Sequence, residues 1–292
     1  MKYIVGFVIM LASCSTGGEI PKERASVFDF NTPQKILVLP DILHEISGLV
    51  ALDSNVAACV QDEQGVVFFL DLHKAEIIDQ MEFSGPGDFE GIAKVGTSLY
   101  MLQSDGVLFE WKNFENREKD ITSYSTPIPA TNNEGLCYDK AGNRILIGCK
   151  SKIGKGKEFK NLRAIYAFDL NTNELSEKPV FEFDVESVKA FAREMNITLP
   201  QREHPKDKEM MDVLKFQISA IAIHPITKEL YILSATDHML FVCSYDGALK
   251  DIKVLDPKTF NKAEGITILE NGDMWITNEG QDKKPTLLFF KN

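Results

Sequence analysis

Hydrophobic residues in this chain are grouped in short runs that polar or glycine-containing turns separate. Val56–Val60 and Val66–Leu70, for example, are separated by the polar turn at residues 61–65. Apolar runs of this length, bounded by turn residues, predict β-strands. Several such runs fall between residues 46 and 83, and the same order recurs between residues 90 and 128. Units of four strands are typical of β-propeller blades, so the pattern predicts an all-β propeller.

A short repeat marks the start of each unit. Glu90, Glu134 and Glu264 are each followed by a glycine and an aliphatic residue, and Ser47 and Ser219 occupy the same place in two further units. Successive copies are about 44 residues apart, except that the interval from Glu134 to Ser219 is about twice as long. This period predicts a five-bladed propeller, with a sixth, degenerate blade in the long interval as the alternative.

The long interval has a pattern of its own. Apolar residues of Val185–Met195 recur at helical spacing behind Asp184, a residue type that caps helices. Pro205 and the apolar residues of 210–214 predict a second short helix. Because residues 184–215 lack the alternation of a strand, we predict a short helical insertion there, which favours five blades over six.

The last unit is one strand short. Only three strand-like segments follow Glu264, while Lys35–Pro40 is a strand-like run that lacks a partner nearby. Pairing this run with the last unit would close the ring and remove two exposed sheet edges. We therefore predict that residues 35–292 form the propeller and that an N-terminal strand completes the last blade.

The N-terminus has the features of an export signal. Lys2 precedes the apolar run Tyr3–Leu11, which is too short to cross a bilayer as a helix. The following small residues and Cys14 look like the lipobox of bacterial lipoproteins. We predict a signal peptide and lipobox in residues 1–14, a lipid anchor on Cys14 and a polar tether in residues 15–34. The protein would then be membrane-anchored in the cell envelope, on the periplasmic or surface side; a secreted protein with a free Cys14 is the alternative.

The charge of the chain limits its partners. The net charge is −11, since 43 acidic residues outnumber 32 lysines and arginines. This negative net charge argues against electrostatic binding of nucleic acid or anionic lipid, whereas it is compatible with cation binding. The expected partners are the membrane, through the lipid on Cys14, and a protein or glycan ligand. Nothing in the pattern indicates an oligomeric state.

The repeated glutamates are the main candidates for chemistry. In a propeller, each innermost strand begins at the face where the next strand ends, so these carboxylates are expected at one mouth of the central channel. Packed carboxylates need a compensating cation, and oxygen ligands suit Ca²⁺, with Mg²⁺ as the weaker alternative. The predicted calcium ligands are Glu90, Glu134, Glu264, Asp62 and Asn278. The other polar residues predicted on this face are Ser47, Gln103, Lys150, Ser219 and Glu279.

Two alternatives do without a metal. Each glutamate could accept hydrogen bonds from the backbone of a neighbouring blade. Lys150 could form an internal ion pair with Glu134 or Glu90, which would supply the positive charge. Neither alternative excludes a metal, because the lysine and the ion could share the carboxylates.

Several segments resemble a known family. The sequences DFEGIA, NNEGLCYD and AEGITILENGDMWITNEG, together with Gln217–His224, are similar to the SdiA-regulated family of bacterial propellers. The similarity runs from about Lys35 to the C-terminus. It implies a five-bladed propeller related to NHL-repeat proteins, in a family that includes a calcium-bound member. Ser47 and Ser219 depart from the glutamate pattern, so three of the five blades offer this carboxylate.

Two functions follow as hypotheses. The first is a lipid-anchored propeller that binds a protein or glycan and contains calcium. The alternative is a calcium-dependent hydrolase of the lactonase or phytase-like type, in which a channel metal polarises the substrate oxygen. The sequence contains no G-x-S-x-G, H-E-x-x-H or P-loop motif and identifies no catalytic residue, so the binding protein is preferred.

Overall fold

The computed structural model describes residues 28–206 and 208–292, which form five sheets around a central channel and one separate hairpin. Strand β1 is Lys35–Val38. Blade 1 consists of β2 (Ile46–Ala51), β3 (Val56–Gln61), β4 (Val66–Asp71) and β5 (Glu76–Glu82). Blade 2 consists of β6 (Phe89–Val95), β7 (Ser98–Gln103), β8 (Val107–Trp111) and β9 (Ile121–Ser125).

The remaining blades follow the same order. Blade 3 consists of β10 (Asn133–Asp139), β11 (Arg144–Cys149), β12 (Leu162–Asp169) and two short outer strands, β13 (Glu174–Leu175) and β14 (Phe181–Asp184). The insertion consists of α1 (Val185–Glu194), β15 (Gln201–Glu203) and β16 (Met210–Asp212). Blade 4 consists of β17 (Ala220–Ile223), β18 (Leu230–Ser234), β19 (Met239–Cys243) and β20 (Leu249–Val254). Blade 5 consists of β21 (Ala263–Ile268), β22 (Met274–Asn278), β23 (Thr286–Phe290) and β1. Short 3-10 turns lie at Asp41–Leu43, Phe114–Asn116 and Ala235–Asp237.

The innermost strands of the five blades, β2, β6, β10, β17 and β21, contact one another in sequence, and β21 contacts β2 to complete the ring. A hydrophobic cluster fills each gap between neighbouring blades. Between blades 5 and 1, for example, Trp275 and Leu287 share a cluster with Phe68. The predicted five-bladed propeller is therefore confirmed.

The predicted closure by an N-terminal strand is also confirmed. Strand β1 pairs antiparallel with β23, with Lys35 opposite Phe289 and Val38 opposite Thr286. The fourth strand of the last blade thus comes from the start of the folded chain. Because this pairing covers the edge of β23, the ring closes through main-chain hydrogen bonds.

The folded part begins before the predicted boundary at residue 35. Phe28 and Phe30, which lie in the predicted tether of residues 15–34, are each 5% exposed and belong to the cluster between blades 4 and 5. The ring of Phe30 is 5.2 Å from that of Phe290. The aromatic side chains at alternate positions extend the core of this gap. The predicted signal peptide and the lipidated Cys14 lie outside the described residues.

One of the two helices predicted in residues 184–215 is present. Asp184 caps α1, since its side chain accepts a hydrogen bond from the Ser187 N–H at 2.8 Å. The prediction of a second helix is wrong, because β15 and β16 form an antiparallel hairpin there. Pro200 and Pro205 favour extended backbone at the residues that precede them, which explains the hairpin. Across residues 28–206 and 208–292, no helix has the length and apolarity needed to cross a bilayer.

The propeller has two different faces. We call the Glu face the end at which the innermost strands begin, with Ser47, Glu90, Glu134, Ser219 and Glu264. We call the opposite face the end that carries the turns between the first and second strands of each blade, such as residues 224–229 of blade 4 and 269–273 of blade 5.

Candidate functional site at the channel mouth

In four blades the innermost strand bulges at the repeated position. The ladder between the first and second strands skips one residue of the innermost strand at this point. The skipped residues are Ser47, Glu90, Glu134 and Glu264. A β-bulge leaves its extra residue unpaired and re-aims the side chain. The three glutamates accordingly line one small cavity at the centre of the ring.

The glycine that follows the repeated glutamate or serine has a packing role. A Cβ atom on Gly48 would lie 2.7 Å from the backbone nitrogen of Ile92, and one on Gly91 would lie 2.9 Å from the carbonyl oxygen of Glu134. Neighbouring innermost strands therefore approach too closely for a side chain at these positions. The Glu-Gly repeat combines a carboxylate at the bulge with a glycine at the closest contact between blades.

Two lysines neutralise part of the acidic charge. Lys150 forms an ion pair with Glu134. The Nζ atom of Lys262 lies 3.4 Å from Glu264 Oε1 and 2.6 Å from Glu279 Oε1. Of the two ion pairs considered for Lys150 in the sequence analysis, the one with Glu134 is present.

The charge of this cluster is not balanced. It contains four carboxylates, of Glu90, Glu134, Glu264 and Glu279, and two ammonium groups. Glu134 and Glu264 are only 2% and 5% exposed, so water screens their charges weakly. Fully ionised, the cluster would carry an excess of two negative charges.

Burial changes the proton affinity of the three glutamates. It raises the pKa of Glu90 to about 9, and the nearby charges of Glu134 and Asp88 add to this effect. Burial, followed by the charge of Glu134, raises the pKa of Glu264 to about 8. Burial also raises the pKa of Glu134 to about 7, although the Lys150 charge opposes this rise. The excess negative charge is therefore reduced by protons at neutral pH.

Glu90 differs from the other two glutamates in its contacts. No hydrogen-bond donor within residues 28–206 and 208–292 contacts its carboxyl group, whereas Glu134 and Glu264 each have a lysine partner. A carboxyl group that stays protonated at neutral pH can donate a proton as well as accept one. Glu90 is thus the glutamate of the cluster whose two carboxyl oxygens are both available to a ligand.

The start of β10 adds acceptor oxygens that have no donor. The buried Oδ1 atoms of Asn132 and Asn133 and the Oε2 atom of Glu134 lack a hydrogen-bond partner. Amide and carboxylate oxygens are the ligands that Ca²⁺ prefers. In donor type these oxygens suit a calcium ion, and of the three residues Glu134 lines the cavity at the centre of the ring.

The described side chains do not form a complete metal cage. Within residues 28–206 and 208–292, no group of three or more His, Cys, Asp or Glu side chains has an arrangement that could hold a metal ion. Lys150 already occupies one oxygen of Glu134. A cation at this place would therefore compete with the lysine and with the protons on the glutamates.

Asp62 and Asn278, the other two predicted calcium ligands, lie outside the cavity lining. Burial and then the negative charge of Glu45 raise the pKa of Asp62 to about 6, and Glu279 adds to the rise. Asn278 is used inside blade 5, where its side-chain amide donates to the Thr259 carbonyl at 3.0 Å and to Thr286 Oγ1 at 2.9 Å. The structure brings together three of the five predicted ligands.

The remaining predicted residues hold the Glu face together. The hydroxyl of Ser47 donates to the Glu45 carbonyl at 3.2 Å, and that of Ser219 donates to the Ala263 carbonyl at 2.8 Å. Ser219 therefore links blade 4 to blade 5 at the position where blades 2, 3 and 5 carry a glutamate. Gln103 pairs with Phe89 at the end of its strand and is half-buried.

Lys262 is the functional candidate that the sequence analysis missed. It lies two residues before Glu264, and side chains at i and i+2 of an extended chain point to the same side. The residues two positions before the repeated glutamate or serine include Glu45, Asp88 and Asn132 as well. This spacing is the sequence signal for a second set of polar groups next to the glutamates.

Comparisons with known proteins agree with this fold. The family model described as SdiA-regulated matches residues 26–289. The crystal structure of Myxococcus xanthus glutaminyl cyclase is similar with a TM-score of 0.58 and 14% sequence identity, covering 89% of this chain and 95% of that chain. A structure of luciferin-regenerating enzyme has a TM-score of 0.50 and 10% identity, covering 85% of this chain and 78% of that chain. At these identities the similarity concerns the fold alone. No curated protein matches the chain.

Proposed function

The chain belongs to the SdiA-regulated family, and from this premise we propose that it is a lipid-anchored binding protein of the cell envelope whose channel mouth holds Ca²⁺. The observation that supports the ion is the unbalanced charge of four carboxylates and two lysines at the channel mouth. A divalent cation carries the charge that would neutralise this excess. Two protons would neutralise it equally well, so ion and protons compete for the same oxygens.

The residues that would hold the ion are the carboxylates of Glu90 and Glu134 and the side-chain oxygens of Asn132 and Asn133. Three of these residues have buried oxygens without a donor, and Glu90 has no partner among the described residues. Lys150 would have to leave Glu134 or share it. The bound ion would supply positive charge that fixes the innermost strands around the channel.

The proposed ligand is a protein or glycan that binds at the Glu face. The connections at this face include the insertion after β14 and the residues between β11 and β12, which are longer than the turns of the other blades. Loops on a rigid scaffold are common positions for binding residues. The lipid on Cys14 would hold the domain at the membrane.

Calcium binding is tested by thermal unfolding with millimolar calcium or with a chelator at pH 8, where protons compete less than at pH 5. An ion that binds only the folded state at a hundredfold excess over its Kd stabilises it by about 2.7 kcal/mol. For a protein of this size that free energy corresponds to an increase in Tm of roughly 5 to 10 °C. The increase should be smaller at pH 5, because more of the carboxylates are then protonated.

The variant Glu134→Gln separates the ion from an ordinary ion pair. It keeps the size of the side chain but removes one charge, so the difference in Tm between calcium and chelator should shrink. Glu76→Gln, at an exposed position of β5, is the matched control and should keep the full difference. If calcium leaves the Tm of the wild-type protein unchanged at pH 8, the lysines and protons alone neutralise the cluster and the calcium proposal fails.

The second candidate is a calcium-dependent hydrolase of the lactonase or phytase-like type. Glu90 favours it, because burial raises the pKa of this carboxyl group to about 9 in the ion-free protein, so it could act as a general acid at neutral pH if the other residues held the ion. Lactones, phosphomonoesters and aryl esters should be tested at millimolar calcium. Activity that Glu90→Gln abolishes without unfolding the protein would establish the hydrolase, whereas a panel without turnover favours the binding protein.

A further inference from the structure

The described part of the chain enters the propeller at the opposite face. The ring of Phe28 lies 6.1 Å from that of His224, in the turn that follows β17. The backbone N–H of Gln34 donates to the Phe289 carbonyl at 2.9 Å, near the end of β23. Both neighbours lie at the end of their blades that is remote from Ser219 and Glu264. Phe28 therefore fixes the start of the folded domain on the side away from the acidic channel mouth.

The chain between this point and Cys14 is short. Roughly 13 residues separate Cys14 from Phe28, and a fully extended chain of that length spans at most about 45 Å. The five residues of a strand such as β23 span about 17 Å from one face to the other. The tether reaches a membrane at the opposite face directly, whereas for a membrane at the Glu face about 17 Å of its length would have to run past the blade.

We infer that the opposite face of the propeller lies against the phospholipid bilayer and that the Glu face points away from it. This inference rests on the proposed lipid anchor at Cys14. The turn next to Phe28 carries Ile226, which is 58% exposed and is an apolar group at the surface that would meet the lipid head groups. Ligands then reach the acidic channel mouth from the aqueous side, without passing between the protein and the membrane.

The orientation is tested with the full acylated chain on vesicles of phosphatidylethanolamine and phosphatidylglycerol. A single cysteine is introduced either by Ile226→Cys on the opposite face or by Lys283→Cys on the Glu face, and each is labelled with a fluorescent donor. Both positions are exposed, and they lie in neighbouring blades. Cys59, Cys149 and Cys243 are buried, and burial raises the pKa of each thiol to about 12, so these thiols react slowly. Cys137 is partly exposed and is replaced by Ser in both labelled chains.

Energy transfer to acceptor lipids in the vesicles should be stronger from position 226 than from position 283. Acylation of Lys228 and Lys283 by a water-soluble reagent provides a second measurement on the unmutated chain. Vesicles should slow modification of Lys228 more than that of Lys283, because Lys228 lies in the turn of Ile226. Equal effects at the two faces, or the reverse order, would overturn the orientation.

Vesicle flotation distinguishes this inference from the proposal on which it rests. Wild-type protein should float with the vesicles, and Cys14→Ser should not. If the wild-type protein fails to float, the anchor itself is refuted, and the orientation is refuted with it. If the protein floats but the two labels transfer energy equally, the anchor stands and only the orientation is overturned.

Discussion

Replacing Glu90 by Gln should stabilise the protein at alkaline pH and have little effect near pH 5. Burial, together with the charges of Glu134 and Asp88, raises the pKa of Glu90 from its ordinary value of 4.5 to about 9 in the folded protein. Between these two values the folded protein keeps a proton that the unfolded chain has released. The free energy of unfolding therefore falls as the pH rises through this range, and it levels off above the folded-state pKa.

The magnitude follows from proton linkage. A group that is protonated in the folded state and ionised in the unfolded state lowers stability by about 1.4 kcal/mol per pH unit. From pH 5 to pH 8, Glu90 alone would lower it by about 4 kcal/mol, which is an upper bound because Glu134 and Glu264 share the protons. Gln has nearly the same size and no ionisable group, so the variant avoids this loss.

The assay is thermal unfolding in a chelating buffer at half-unit steps from pH 5 to pH 9. Wild-type protein, Glu90→Gln and the exposed control Glu76→Gln are compared. The Tm of the wild type should fall towards alkaline pH, that of Glu76→Gln should follow it, and that of Glu90→Gln should fall less. If the curves for wild type and Glu90→Gln run parallel, or if the variant is less stable at pH 8, Glu90 is not protonated in the fold and the reasoning is refuted.

Three further predictions concern the anchor and the packing. Cys14→Ser should release the protein from the membrane fraction, and unchanged retention of this variant would contradict lipidation, since a lipid on Cys14 is the expected anchor. Phe30→Ala should destabilise the domain by about 3 to 5 kcal/mol in denaturant unfolding, whereas Ile36→Ala, at a position that is 56% exposed, should cost far less. Gly91→Ala should cost about 1 to 3 kcal/mol, because its Cβ would lie 2.7 Å from Leu136 Cβ. Gly85→Ala, with no atom within 4 Å of its Cβ, is the control, and equal Tm values would rule out the close approach.

The features predicted correctly from the sequence are those that repeat. Each Glu-Gly pair identifies a bulge on an innermost strand, so the positions of Glu90, Glu134 and Glu264 around one channel followed from a single local pattern repeated at a fixed period. The position of the run that forms β1 could be predicted because the last blade was the one blade that lacked a fourth strand. Periodicity thus predicted the contacts between blades as well as the strands.

The features that were missed depend on single contacts. Phe28 and Phe30 occur in a polar segment, and they are buried between blades 4 and 5. The residues around them in the sequence do not form this site, so local sequence could not predict their burial. In the sequence Lys262 does not differ from a surface lysine. Its role depends on the fold, which brings its ammonium group next to both Glu264 and Glu279. The hairpin at 201–212 was misread because Pro205 was taken as the start of a helix, whereas Pro200 and Pro205 favour extended backbone at the residues before them.

The closure of the ring has a consequence for how the protein folds. Strand β1 is the first to leave the ribosome, but its partner β23 follows about 250 residues later, and contacts between such distant segments form slowly. The blade that closes the ring cannot assemble until synthesis is almost complete. Until then both ends of the ring present unpaired strand edges, which are the positions at which chains associate wrongly. We therefore expect the last folding step to be slow and first order in protein concentration. We also expect the partly synthesised chain to depend on chaperones more than the complete propeller does.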